Sequence, residues 1–133
     1  MRVLLDANVL VSALLSRAGA PARLVGLCLE AAFELVVCPA LLAETKRALA
    51  SSKLRGRVDP GQAERFIEQV AELGEVVPDP EGPPRVRSSD SGDDYLLALA
   101  ERENVPLVSD DHHLLALRDR APVFSPGEFL DQL

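Results

Sequence analysis

The 133-residue chain is poor in the residues that build thiol and imidazole metal sites, with two cysteines and two histidines. Cys28 and Cys38 form neither a C-x-x-C pair nor a ligand cluster with a histidine. Both lie among apolar residues, so we expect buried, reduced thiols in a cytoplasmic protein rather than a disulfide. The cysteines therefore give no reason to expect a secreted scaffold or a cysteine-based zinc site.

Long apolar runs and phosphate-binding loops are missing as well. No segment approaches the ~20 apolar residues of a membrane-spanning helix, and Asp6 interrupts the first hydrophobic stretch, which does not resemble an export signal. No G-x-x-x-x-G-K segment is present, which argues against a nucleotide triphosphatase. With 47% hydrophobic residues, residues 1–133 are expected to form one domain with a sizeable core.

Positive charge is scarce overall and unevenly distributed. The net charge is −7, but residues 1–67 carry nine Lys or Arg against six Asp or Glu, and residues 68–133 carry five against fifteen. A basic cluster in the first half could meet nucleic-acid phosphates, although a solvated helix end and loop would look the same. It consists of Lys46, Arg47, Lys53, Arg55 and Arg57. Metal binding, a basic partner or solubility could each explain the acidic half.

Short apolar runs alternate with amphipathic segments along the whole chain. We predict strands at residues 1–5, 33–38, 75–77, 106–109 and 123–124. We predict helices at residues 8–16, 22–32, 40–50, 60–73, 90–104, 112–117 and 126–133, the second apolar nearly all round and therefore deeply packed. This order predicts an α/β fold, in which a central parallel sheet is covered by helices on both faces.

Carboxylates follow four of the predicted strand-to-helix junctions. They are Asp6 after the first strand, Glu44 after the second, Asp90, Asp93 and Asp94 at the start of the long helix, and Asp110 and Asp111 after the fourth strand. All should reach the carboxyl edge of the sheet, where α/β proteins bind ligands. Asp6 alone could be a helix cap. Acids gathered from four junctions repel one another, however, and a divalent cation would neutralise them.

The ligand chemistry of this predicted cluster indicates the metal and the reaction. Oxygen ligands without cysteine or a paired-histidine motif favour Mg²⁺ or Mn²⁺ over Zn²⁺. A Mg²⁺ ion held by carboxylates usually takes phosphate oxygens as its other ligands. It can also lower the pKa of a water molecule and neutralise charge on a phosphoryl group. Phosphodiester hydrolysis is therefore the expected reaction class.

Four segments resemble, in their order and spacing, the PIN-domain ribonucleases, in particular the VapC-like toxins. They are Leu5-Asp6-Ala7-Asn8-Val9 with Ser12-Ala13 behind it, Pro39 to Glu44 with Leu49, Asp90 to Ala100, and Leu107 to Asp111. The resemblance covers essentially the whole chain. It implies a PIN-like three-layer α/β/α fold and a Mg²⁺- or Mn²⁺-dependent endoribonuclease acting on single-stranded or loop RNA.

The resemblance also implies roles for individual residues. The metal-binding acids would be Asp6, Glu44, Asp93 and Asp111, with Asp94 as an accessory ligand and Asp90 as a helix cap, while Asn8 and Ser109 would orient ligands or water. Asp110 stands where family members often carry glycine, and His113 where they often carry an acid. The choice of fourth acid between Asp110 and Asp111 therefore stays open, as does the number of metal ions.

The implied partners are an RNA substrate, further copies of the chain in a homodimer or higher homo-oligomer, and an antitoxin protein. Rival functions are a phosphoacceptor signalling domain, a phosphatase with Asp6 as nucleophile, and a catalytically silent PIN scaffold that binds RNA or protein. The first needs a lysine near the last strands, and the only lysines are Lys46 and Lys53. The second favours an acid two residues after the nucleophile, where this chain has Asn8.

Three further side chains could take part in the chemistry. His112 and His113 invite a general-base or zinc interpretation, but adjacent helical residues point in different directions, which favours solvated or partner-facing histidines. Tyr95, the only tyrosine, could either stack on a base or pack in the core with its hydroxyl at the surface.

Overall fold

The computed structural model describes residues 1–54 and 56–133, and its centre is a five-stranded, wholly parallel sheet. The strands are β1 (Arg2–Leu5), β2 (Glu34–Val37), β3 (Glu75–Val76), β4 (Leu107–Val108) and β5 (Val123–Phe124), in the order β3-β2-β1-β4-β5. Val3, Leu4 and Leu5 are fully buried, as expected for a central strand that is covered on both faces. The predicted α/β architecture is confirmed.

Helices flank this sheet and follow the predicted order. They are α1 (Ala7–Leu15), α2 (Ala20–Leu29), α3 (Pro39–Leu49), α4 (Pro60–Leu73), α5 (Asp94–Glu103), α6 (His112–Leu115) and α7 (Pro126–Asp131). Short 3-10 turns occupy Ser52–Leu54 and Ser91–Asp93. Asp59 caps α4 by accepting hydrogen bonds from the backbone N–H groups of Gly61 and Gln62. No single helix among the described residues is long and apolar enough to cross a membrane.

Two helices differ from the sequence-based expectation. Helix α2 is not deeply packed, because only Leu24 and Cys28 in it are buried and Leu29 is 53% exposed. The long helix begins at Asp94 rather than at residue 90, because the side chain of Asp90 accepts the N–H of Gly92 and thereby forms a separate 3-10 turn. Both cysteines are free and buried, as predicted.

The strand order places a crevice beside β1. The chain runs outward from β1 through β2 to β3, then crosses to the other side of β1 for β4 and β5. The loops that leave β1 and β4 therefore diverge at the carboxyl edge of the sheet. Such a reversal of strand order is where open α/β sheets bind ligands.

A proline-rich segment, residues 78–88, crosses the outside of α5 and is held there by hydrogen bonds along its length. The guanidinium of Arg102 donates to the carbonyl of Pro78 (2.6 Å), and the Glu101 carboxylate accepts the N–H of Arg85 (2.9 Å). At the segment's two ends, the Asp79 carboxylate accepts the N–H of Ala40 at the start of α3 (2.8 Å), and the N–H of Ser88 donates to Asp94 (2.9 Å). The segment thus connects the first turns of α3 and α5.

Candidate metal centre

A cleft of about 300 Å³ opens at the crevice beside β1. Four carboxylates line it, from Asp6, Glu44, Asp93 and Asp111, together with Ala7, Asn8, Val11, Ser12 and Ala48. These are the four acids that the sequence predicts as metal ligands. The structure brings them together from the ends of β1 and β4, the second turn of α3 and the 3-10 turn that precedes α5.

Asp6 is held by the neighbouring strand rather than by the helix that follows it. It occupies the N-cap position of α1 but its side chain makes no capping hydrogen bond, and it is only 4% exposed. The hydroxyl of Ser109, which is fully buried, donates to the Asp6 carboxylate (2.6 Å) and accepts the N–H of Asp111 (2.9 Å). Ser109 therefore joins the first and fourth acids across the crevice.

Glu44 is oriented by a residue of α5. The hydroxyl of Tyr95 donates a hydrogen bond to Oε2 of Glu44, and this contact connects α3 with α5. Burial raises the pKa of Tyr95, and the hydrogen bond to Glu44 raises it further, so the phenol stays protonated and remains a donor. Base stacking and packing in the core were the two roles predicted for Tyr95. Its position agrees with packing, with the hydroxyl hydrogen-bonded to Glu44.

Asp93 has an oxygen that no protein group satisfies. Its Oδ2 is buried, and among the described residues it is the one such side-chain atom without a hydrogen-bond partner. A buried polar group without a partner costs free energy, because it has lost its bonds to water. Asp93 lines the cleft with three other acids, so a cation bound there could satisfy its carboxylate.

The charges of the cluster are uncompensated. Burial raises the pKa of Asp6 to about 6, against the opposing hydrogen bond from Ser109, and the charge of Glu44 adds to the rise. Burial raises the pKa of Asp93 to about 7, and the neighbouring Asp111 carboxylate raises it further. Oxygen donors that are short of positive charge fit a hard divalent cation such as Mg²⁺ or Mn²⁺.

The other predicted acids lie elsewhere. Asp110 is exposed and does not line the cleft, whereas Asp111 does. Asp94, although only 9% exposed, faces away: its carboxylate accepts hydrogen bonds from Nε of Arg87 (2.9 Å) and from the N–H of Ser88. The structure therefore does not bring Asp94 or Asp110 into the cluster. Asn8 is exposed at the mouth of the cleft.

The predicted basic residues that the structure describes do not line the cleft. Lys46 follows Glu44 by two residues, about 200° around α3, and lines a separate, mainly apolar pocket of about 320 Å³ between α3 and α4. Arg47, Lys53 and Arg57 are exposed. Arg55 lies outside the described residues.

Two contacts at the site had no usable signal in the sequence. These are the hydrogen bonds of Tyr95 with Glu44 and of Ser89 with His113 (2.8 Å). Each joins residues that are far apart in the chain, so local pattern does not reveal them.

A model of the PIN domain family matches residues 2–113, and the chain belongs to this family. PIN domains are generally nucleases and usually use divalent metal ions. The crystal structure of PAE2754 from Pyrobaculum aerophilum is similar over 99% of this chain and 88% of that one, with a TM-score of 0.69 and 21% identity. That likeness concerns the fold. A search of the curated proteins found none with significant similarity.

Proposed function

We propose that the protein is a Mg²⁺- or Mn²⁺-dependent endoribonuclease that hydrolyses RNA phosphodiester bonds, and that it is the toxin of a toxin–antitoxin pair. The observation that carries the nuclease assignment is the buried, unpaired Oδ2 of Asp93 in a cleft lined by Asp6, Glu44 and Asp111. Membership of a family of nucleases that use divalent ions supports it.

The four acids would hold the ion, and the surrounding residues would hold the acids. A divalent ion bound there neutralises charge on the phosphate and lowers the pKa of a water molecule. Ser109 keeps the Asp6 carboxylate pointing across the crevice, and Tyr95 fixes Glu44. Asn8 and Ser12 line the same cleft and can hydrogen-bond substrate at its mouth.

The rival phosphoacceptor and phosphatase functions fit the geometry less well. Both need Asp6 as a nucleophile, but its carboxylate accepts a hydrogen bond from Ser109, which weakens it as a nucleophile. The phosphoacceptor also needs a lysine beside the phosphoryl group, and Lys46 lines the pocket between α3 and α4. A silent scaffold would have no use for four uncompensated acids, whose repulsion lowers stability.

The toxin role, the antitoxin partner, the homodimer and the cytoplasmic location are proposed from the family resemblance. Arg47, Lys53 and Arg57 are exposed and are proposed to contact RNA phosphates along the strand, away from the cleavage point. A small reading frame next to this gene, whose product co-purifies with the chain and blocks cleavage, would support the toxin assignment. Light scattering of the purified chain tests the dimer.

Cleavage assays with paired variants test the nuclease assignment. RNA and single-stranded DNA are incubated with the full chain and Mg²⁺, Mn²⁺ or a chelator. Asp93→Asn should lower the cleavage rate more than about a hundredfold, beyond the loss typical of outer-sphere residues. Asp119→Asn, which removes the same charge from an exposed turn, is the matched control. Equal cleavage by both variants would exclude the proposed site.

A further inference from the structure

The two histidines lie side by side at the start of α6. Their ring centroids are 4.1 Å apart and the ring planes are inclined by 36°. The expectation that adjacent rings point apart is wrong here, because consecutive helical positions differ by only about 100° and both side chains are long enough to turn towards one another. His112 is exposed and His113 half-buried, so both rings are accessible.

Asp111 completes a group of three potential ligands. One ligand atom from each of Asp111, His112 and His113 lies within 4.8 Å of the other two. Zinc takes nitrogen and oxygen ligands at about 2.0–2.2 Å, which places two ligands of one ion roughly 3.3–3.6 Å apart. The Asp111 carboxylate is held by the N–H of His113 (2.8 Å), whereas the exposed ring of His112 is the ligand that can rotate to shorten the separation.

A residue from a different element fixes one of the rings. The hydroxyl of Ser89, just after the proline-rich segment, hydrogen-bonds Nδ1 of His113 (2.8 Å). This contact occupies one ring nitrogen and leaves Nε2 free to bind an ion. Histidine ligands of metals usually have such an outer partner, which sets the tautomer and the ring orientation.

We propose that Asp111, His112 and His113 form a second metal site, for a borderline transition ion such as Zn²⁺, at the rim of the acid cleft. The donor set is two imidazoles and one carboxylate, which suits Zn²⁺, whereas the oxygen-only set of Asp6, Glu44 and Asp93 suits Mg²⁺. Asp111 belongs to both sets. An ion at the rim therefore competes for Asp111 and inhibits cleavage, a consequence that rests on the proposed nuclease function.

The binding test uses the full chain, free of metal and RNA, titrated with Zn²⁺ by calorimetry and with Co²⁺ by visible absorption. The wild type should bind Zn²⁺, and H112Q/H113Q should lower that affinity at least about tenfold. The Co²⁺ spectrum of the wild type should show nitrogen ligation at low coordination number, which the double variant loses. Asp6→Asn should retain Zn²⁺ affinity within about threefold, because Asp6 is not one of the three ligands.

Milder variants guard against a folding defect in the double variant. Ser89→Ala removes only the outer partner of His113 and should weaken Zn²⁺ binding by roughly tenfold. Ser52→Ala, an exposed serine in the turn after α3, should leave the affinity unchanged. Thermal unfolding without metal shows whether each variant is folded.

Two results would overturn the second site. In one, Zn²⁺ affinity is unaffected by H112Q/H113Q but lost in Asp6→Asn, so zinc occupies the acid cleft instead. In the other, the wild type does not bind Zn²⁺, and RNA affinity falls in H112Q/H113Q, so the histidines contact RNA.

Measuring how Zn²⁺ inhibits cleavage shows whether the second-site proposal or the nuclease proposal fails. The rate of Mg²⁺-dependent cleavage with Zn²⁺, divided by the rate without it, should be well below one in the wild type. This ratio should rise towards one in H112Q/H113Q. Zinc binding to a chain that cuts no RNA would refute only the nuclease function. Mg²⁺-dependent cleavage with no histidine-dependent zinc binding would refute only the second site.

Discussion

Acidic residues lie at both edges of the sheet, but their charges are balanced at only one. At the amino edge, the Arg2 guanidinium binds Glu75 (2.9 Å) and Glu103 (2.8 Å), and Arg102 binds Glu103 from the other side (2.9 Å). These arginines lower the pKa of Glu103, the hydrogen bond from Arg2 having the largest effect. At the carboxyl edge, the pKa values of Asp6 and Asp93 are raised instead.

The contrast distinguishes acids that stabilise the fold from acids that are kept for a ligand. Glu103 and Glu75 have cationic partners, so their charges favour the folded state. Asp6 and Asp93 are held by neutral groups or left unpaired, so their charges oppose it. Strongly perturbed carboxylates in a cleft are typical of functional sites. Whether an acid has a cationic partner, rather than whether it lies at a strand end, therefore indicates whether it serves the fold or a ligand.

The most direct test of this difference between the two edges is to neutralise one acid at each edge. Asp6→Asn should lower the rate of RNA cleavage more than about a hundredfold, whereas Glu103→Gln should leave it within about twofold, because Glu103 lies at the edge of the sheet opposite the acid cleft. Cleavage rates under saturating Mg²⁺ measure both. A comparable loss in the two variants would mean that stability, not metal binding, limits activity.

The second prediction concerns pH. The folded-state pKa of Asp6 is about 6 and that of Asp93 about 7, both above the usual 3.8, so the folded state binds protons more tightly than the unfolded state does. The metal-free protein should therefore gain stability as pH falls from about 8 to 5, by on the order of 1–3 kcal/mol from Asp6. The free energy of unfolding in urea measures this.

Two controls test whether the acids at the carboxyl edge cause this pH dependence of stability. Asp6→Asn should flatten the pH dependence, and saturating Mn²⁺ should reverse it, because the ion binds the ionised acids of the folded state. The pKa of Glu103 is lowered, so the amino edge loses its stabilisation only at lower pH, as that group becomes protonated. A profile that is the same with and without Asp6 would contradict the assignment.

Tyr95→Phe should have a smaller effect. The variant keeps the ring but removes the donor to Glu44, so Mn²⁺ affinity should fall by roughly tenfold while the fold is retained. Electron paramagnetic resonance of free Mn²⁺ measures the affinity without any activity assay. Phe124→Leu, which alters a partly buried ring outside the cleft lining, serves as a packing control that should leave Mn²⁺ affinity unchanged.

The smallest effect is expected at the amino edge itself. Glu103→Gln should lower stability by less than about 1 kcal/mol, and added salt should reduce the difference, because the ion pairs there are partly exposed. Urea unfolding at low and high salt measures both. A larger, salt-independent loss would show that this edge is a buried network.

The sequence was sufficient to predict the succession of strands and helices along the chain, but not the orientation of neighbouring side chains. The run Val3-Leu4-Leu5 followed by Asp6 predicts a buried strand with an acid at its end, and the structure agrees. Asp93 and Asp94 are adjacent, and nothing local reveals that one faces the cleft and the other Arg87. The answer depends on the 3-10 turn before α5, which shifts the phase of the helix.

Tertiary partners also explain the other differences. Apolar composition suggested a deeply packed α2, but composition does not say how much of a helix its neighbours cover, and Leu29 remains exposed. The hydroxyl of Ser109 reaches Asp6 from a residue 103 positions away. Contacts of that kind are set by the sheet topology, and only the fold shows them.

The proline-rich segment makes the size of the cleft depend on the length of a loop. One end of the segment holds the start of α3, which carries Glu44, and the other holds the start of α5, next to Asp93. The prolines limit how far this stretch can extend or contract. Adding or deleting a residue between Glu81 and Arg85 should thus change the spacing of the acids, and with it which ions are accepted, without replacing any of the acids. Metal selectivity can then be engineered from outside the site.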